Sequence, residues 1–184
     1  MIRRFFLAAT VVISALLPQT AFAQLTAAQL VTLGAYIATV PAWVAMPSGP
    51  DTASFIRDEL NKDSAFIVFK RTEQTDKIGR SVSYIAIEAM TALNLDKAKM
   101  FYQMNPEVFE PVKADVRSFW ANVLSGTLGG AGQASRDAMD ALYRRPARDA
   151  ERVFALGTGT TLAPGTLVFE GSVTYPEVLT ARGR

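Results

Sequence analysis

ALGTGTTLAPGTLVFEG, residues 155–171, is the stretch whose reading decides the fold. Two glycines and three threonines between 157 and 161 suit a phosphate cradle or a plain turn. A phosphate loop works because backbone amides and the start of a following helix face the anion. Its strong form runs strand, GxxxxGK[ST], helix. Here the order is reversed. Helical spacing precedes the glycines, strand-like TLVFEG follows them, and the loop has no lysine. The end of a helix presents carbonyls, which repel phosphate. The stretch therefore reads as a turn. Gly157 stops a helix in a left-handed conformation, and Gly159 and Gly165 turn the chain. TLVFEG is expected to pair with AFIVF, residues 65–69, a short run rich in β-branched and aromatic residues.

Around this turn the pattern is helical. Leu30, Leu33, Ile37 and Val40 share one face, and Pro41 ends that helix. PAWVAMPSGP reads as a loop carrying Trp43, and Asp51 as the cap of a second helix. RTEQTDKIGR reads as a polar turn. Val82, Ile85, Ala86, Ala89, Met90 and Leu93 form a helical stripe that Asn94 breaks, with Asn94 capping the next helix. Met90, Met100, Phe101, Met104, Phe119 and Trp120 read as core. Pro106 and Pro111 bracket a turn carrying Glu107 and Glu110. Val112 to Val123 forms a further helix stopped by Gly126, and TLGGAGQ reads as a flexible link. Met139, Leu142 and Tyr143 lie on a helix that ends before Pro146. Pro146 is expected to open the next helix, which runs to about Leu156. Thr174-Tyr175-Pro176-Glu177 is a capping box for a last short helix. The expected architecture is mainly α: a single helical, bundle-like domain over residues 24–184 with one minor two-stranded β element.

Composition excludes several chemistries. The chain has 184 residues, about half of them hydrophobic, enough for a folded core. It has no cysteine and no histidine, so disulfides, thiolate chemistry and histidine-based triads are ruled out. Residues 1–23 follow the order of a secretory signal: Arg3 and Arg4, an apolar run from Phe5 to Leu17, then Ala21-Phe22-Ala23. Cleavage at Ala23–Gln24 would remove two arginines and leave 17 basic against 17 acidic residues, so no global charge points to nucleic acid.

No catalytic, cofactor-binding or metal-binding set emerges from the carboxylates, which are scattered and fit no calcium loop. The expected cofactor is therefore none, and the chain reads as a non-enzyme. Two features suit a partner. Trp43, between Pro41 and Pro47, either covers the core or anchors a contact. Arg144, Arg145, Arg148 and Arg152 form a basic cluster among Asp137, Asp140, Asp149 and Glu151. Mixed signs at this spacing suit an ion-paired face, and a docking patch requires the arginines to be unpaired.

The C-terminal stretch resembles a family of small tailed-phage and prophage proteins. The residues that carry the likeness are Ala150-Glu151-Arg152-Val153-Phe154-Ala155, Gly157-Thr158-Gly159-Thr160-Thr161, Pro164 and Phe169-Glu170-Gly171. LTAAQLVTLGAYI at 25–37 and AFIVFKRTEQTDKI at 65–78 are similar to the family's opening helix and its aromatic strand, turn and helix. The resemblance implies a virion structural or assembly protein of the head–tail or tail region. Its partners would be other virion proteins or copies of itself, in the virion after assembly in the host cytoplasm. Family members begin near the position of Leu25. The leader therefore leaves three readings open: export, a start near Leu25, or a retained helix that would be the only membrane contact. The alternative function is a secreted periplasmic binding or inhibitor domain.

Overall fold

A computed structural model describes residues 24–125 and 129–183. The leader and the expected stop at Gly126 lie outside them. The architecture is mainly α. Ten helices are described: α1 (Ala27–Ala38), α2 (Pro41–Val44), α3 (Pro50–Leu60), α4 (Asp76–Ser81), α5 (Tyr84–Glu88), α6 (Ala92–Met104), α7 (Ala114–Val123), α8 (Gly129–Leu142), α9 (Asp149–Phe154) and α10 (Tyr175–Arg182). Two small antiparallel ribbons accompany them: β1 (Asp63–Phe69) with β4 (Arg144–Arg148), and β2 (Glu73–Gln74) with β3 (Val108–Phe109).

The partner of β1 differs from expectation. It is RRPAR, not TLVFEG, with Ile67 opposite Pro146, Val68 opposite Arg145 and Phe69 opposite Arg144. Pro146 lies inside this strand and opens no helix. Its ring pushes Arg145 towards extended backbone, which favours a strand over a helix at this joint. TLVFEG contributes a single bridge, Thr166 to Leu156, and Gly165 just before it makes a single bridge to Val68.

The glycine loop covers the other edge of β1. The Ile67 N–H donates to the Gly159 carbonyl at 2.7 Å, and the Gly165 N–H donates to the Ile67 carbonyl at 2.8 Å. Both glycines press on Phe66. A Cβ at Gly159 would lie 2.1 Å from the Phe66 ring, and one at Gly165 would lie 2.3 Å from it. The ring is held between two backbone segments that only glycine lets so close. Gly159 also has φ 63° and Gly157 φ 93°, both left-handed. Gly157 is a turn two residues beyond the α9 cap, Ala155, and not the cap itself.

Local signals explain most other departures. Pro41 ends α1 and also opens α2, because a proline without an N–H suits a first helical turn. Gly49 is the N-cap of α3, and Asp51 sits in its first turn, where a carboxylate favours the positive helix end. The polar stretch after β1 folds into β2 and α4. The stripe from Val82 to Leu93 is interrupted: the Ser83 N–H donates to the Ser135 Oγ at 3.1 Å, and Ser83 caps α5 by accepting from Ala86 N. Thr91, not Asn94, caps α6 and accepts from the Asn94 N–H. Glu107 and Glu110 flank β3. Residues 129–133, expected as a link, form the first turn of α8.

Two apolar clusters result. One joins α1, α3, α9 and α10 through Leu33, Ile56, Leu60, Phe154, Phe169 and Val178. The other joins α4 to α8 around Phe101, Phe109, Trp120, Met139 and Tyr143. In the second, Phe101 stacks on Phe119 at 5.3 Å and meets Trp120 edge-on at 5.3 Å. The β1–β4 ribbon lies between the elements of the two clusters.

Gly165→Ala should destabilise the fold by about 1–3 kcal/mol through overpacking against Phe66. Urea unfolding of G165A, F66A and the double variant checks this. The double variant should lose less than the sum of the singles, because F66A removes the clash.

Candidate interaction surface

The basic cluster turns inwards. Glu151, 1% exposed, stands at the third position of α9 and accepts four hydrogen bonds. Two come from the Arg145 guanidinium at 2.7 and 3.0 Å, one from the Arg148 N–H at 2.9 Å and one from the Gly171 N–H at 3.0 Å. Arg145 also pairs with Glu170 at 3.1 Å. Arg144 pairs with Asp140 at 3.1 Å. Arg152 pairs with Asp149 at 2.7 Å and donates to the Tyr36 hydroxyl at 2.6 Å. Arg148 donates to the Ser172 hydroxyl at 2.8 Å. Three of the four guanidiniums are thus engaged by carboxylates, the arrangement of an ion-paired face. Trp43 packs on the first core, edge-on to Tyr36 at 6.0 Å, and its carbonyl accepts from Arg182.

Burial opposes ionisation of Glu151, but the donors from Arg145, Arg148 and Gly171 outweigh it and hold its carboxyl below the usual range. Burial likewise opposes ionisation of Glu73. Lys70, Lys77 and the Gln74 N–H outweigh it and lower Glu73 from 4.5 to about 2.

The glycine–threonine loop also satisfies its own polar groups. The Thr158 hydroxyl donates to the Ala163 carbonyl, the Thr160 N–H donates to the same carbonyl, and the Thr160 hydroxyl accepts from the Ala163 N–H. The loop works as a turn and an edge cover.

What faces solvent instead is an apolar stripe on α6. Leu93, Lys97, Met100 and Met104 follow at helical spacing, so they share one face. Leu93 is 65% exposed, Met100 51% and Met104 73%. Ala98 and Phe101 lie on a neighbouring face of the helix and are buried. Tyr84 and Ile85 on α5 and Val108 on β3 are exposed as well. Sequence reasoning placed Met100 and Met104 in the core. The signal that distinguishes them is that α6 carries apolar residues on two faces, and only one of these includes a lysine. An apolar band on a surface helix, with flexible methionines in it, is a surface suited to protein contact.

Among the described residues, no group of three or more acidic side chains is placed to hold a metal ion, and no helix is long and apolar enough to cross a membrane. Comparison with protein-family models, curated proteins and solved structures gave no match.

Glu151→Gln should cost about 3 kcal/mol, the low end for breaking a buried ion pair because Arg145 is partly exposed. The sign with pH follows from the lowered pKa values. The stability that Glu151 and Glu73 contribute is full above the ordinary carboxyl range and is lost as pH falls from there through their lowered folded-state values. Between pH 4.5 and about 2, Glu73→Gln should therefore flatten the fall in melting temperature relative to wild type. Melting scans across that range check it.

Proposed function

We propose that the chain is a non-enzymatic, phage-derived virion structural or assembly protein of the head–tail or tail region. It acts through protein–protein contacts along α6. The observation that carries the contact reading is the exposed Leu93–Met100–Met104 stripe on a helix that buries Ala98 and Phe101 in a core. Burying such side chains against a partner removes apolar area from water, about 25 cal/mol for each Å².

The phage assignment rests on the C-terminal likeness. Its support is that the residues carrying the likeness form one connected unit. Glu151 holds Gly171, Glu170 holds Arg145, Phe154 packs on Phe169 at 5.5 Å, and Gly159 with Gly165 clasps Phe66. The proposed partners are other virion proteins or further copies of this chain, and the proposed location is the particle. The second reading, a secreted periplasmic binding or inhibitor domain, is favoured by the basic-apolar-small order of residues 1–23.

Mass spectrometry of density-purified particles from the source strain tests the proposal. The chain is expected in the particles. The M100E/M104E variant is expected to melt within about 0.5 kcal/mol of wild type, as surface changes do, and to be missing from them. Recovery only in the periplasmic fraction, with a peptide starting at Gln24, would favour the second reading.

A further inference from the structure

A cleft of about 520 Å³ opens where the end of β1, the chain before α7, the start of α1 and residues 165–170 meet. Its volume lies in the range of sites that take small organic ligands. Two guanidiniums line it, those of Arg71 and Arg117, against one carboxylate, Glu170, which Arg145 engages at 3.1 Å. Arg117 is fixed in place. It lies over the Phe69 ring, 3.8 Å from its centre, and donates to the carbonyls of Pro111 and Val112 at 2.6 and 2.7 Å. Asp115 and Asp140 act on it electrostatically and offset its charge. Arg71 differs. It is exposed, and among the described residues it makes neither an ion pair nor a hydrogen bond. Glu73, the acidic residue nearest to it in sequence, is taken by Lys70 and Lys77. Arg71 is therefore the unmatched cation of the cleft, and it is open to solvent.

The walls narrow the chemistry. A guanidinium presents a fork of N–H donors that matches the two oxygens of a carboxylate. One unmatched guanidinium calls for one negative charge, which suits a carboxylate better than a doubly charged phosphate. The Gln29 side chain adds a donor: its oxygen accepts from the Thr26 N–H at 2.9 Å, which leaves its amino group for a ligand. The rest of the wall is apolar, from Val112, Leu167 and Val168. Val112 is 43% exposed and Val168 61%, so both can be covered by a ligand. A bare anion would leave this apolar wall wet, and a neutral hydrocarbon would leave Arg71 unmatched. We propose that the cleft binds an amphipathic organic acid, a fatty or aryl carboxylate, with its carboxylate on Arg71 and its hydrocarbon part against Val112, Leu167 and Val168. This inference does not depend on the virion reading.

The test follows the backbone amides of Arg71, Leu167 and Val168 in ¹H–¹⁵N spectra during titration with sodium octanoate at constant ionic strength. Octanamide, sodium acetate and inorganic phosphate are titrated in parallel. Octanoate should shift these amides saturably. Octanamide keeps the hydrocarbon without the charge, and acetate keeps the charge without the hydrocarbon, so each should bind at least about tenfold more weakly. Phosphate should not saturate them. Arg71→Gln alters an exposed side chain and should leave the fold intact. It should weaken octanoate about tenfold, the worth of one hydrogen bond to a charged group, and leave octanamide unchanged. Arg80→Gln removes the same charge from α4, outside the cleft, and should leave octanoate binding as in wild type. Amides that stay still with octanoate, equal binding of octanamide or phosphate, unchanged binding by R71Q, or an equal loss in R80Q would each overturn the proposal.

Discussion

The carboxylate of Glu151 is the point on which the C-terminal half is organised. A buried carboxylate is tolerable only when its lone pairs are matched by donors. Here a guanidinium and two backbone N–H groups match them, drawn from both ends of β4 and from the chain beyond the glycine loop. Arg145 is in β4, Arg148 is the residue before α9, and Gly171 lies beyond the glycine loop. One side chain therefore fixes a strand, a helix start and the return of the chain. Glu177 repeats the device at the next helix. It accepts from the Thr174 N–H and hydroxyl at its own cap, and from the Leu25 N–H at 2.6 Å, which ties the segment before α1 to the last helix. In both cases a glutamate at the third helical position serves a cap and a distant segment together.

That dual use explains what the sequence made legible. The box at Thr174 to Glu177 was readable because its partners lie within one turn. The reading of residues 155–171 as a turn was readable from element order and from the missing lysine. The strand RRPAR was not. It has no alternating apolar pattern, and its extended state depends on β1 beside it, which is distant in sequence. The clasp on Phe66 was equally hidden, since Gly165 is there for its missing Cβ and not for an unusual φ. The two sides of α6 were misjudged because methionine was counted as core wherever it had helical spacing. The second core already fills its centre with Phe101, Phe109 and Trp120, which leaves Met100 and Met104 outside.

The distribution of charge and apolar surface bears on function in a consistent way. The arginines that a docking patch would need are held in ion pairs and internal hydrogen bonds, whereas Met100 and Met104, expected inside, face water. A basic patch would have favoured contacts that weaken steeply with salt. An apolar helix face favours contacts that persist in salt and lose strength on cooling. The two properties separate the modes of association that the sequence left open, and the second suits an assembly held together by buried area.

The central claim is that Glu151 makes the C-terminal loop part of the cooperative fold. Native-state hydrogen exchange at the amides of Arg148 and Gly171 tests it most directly. If the account is right, both amides exchange only through the same large opening as the buried helix amides of α9, with equal free energies of exchange. If Gly171 exchanges through a small local opening while α9 stays protected, the carboxylate does not hold the loop and the account fails.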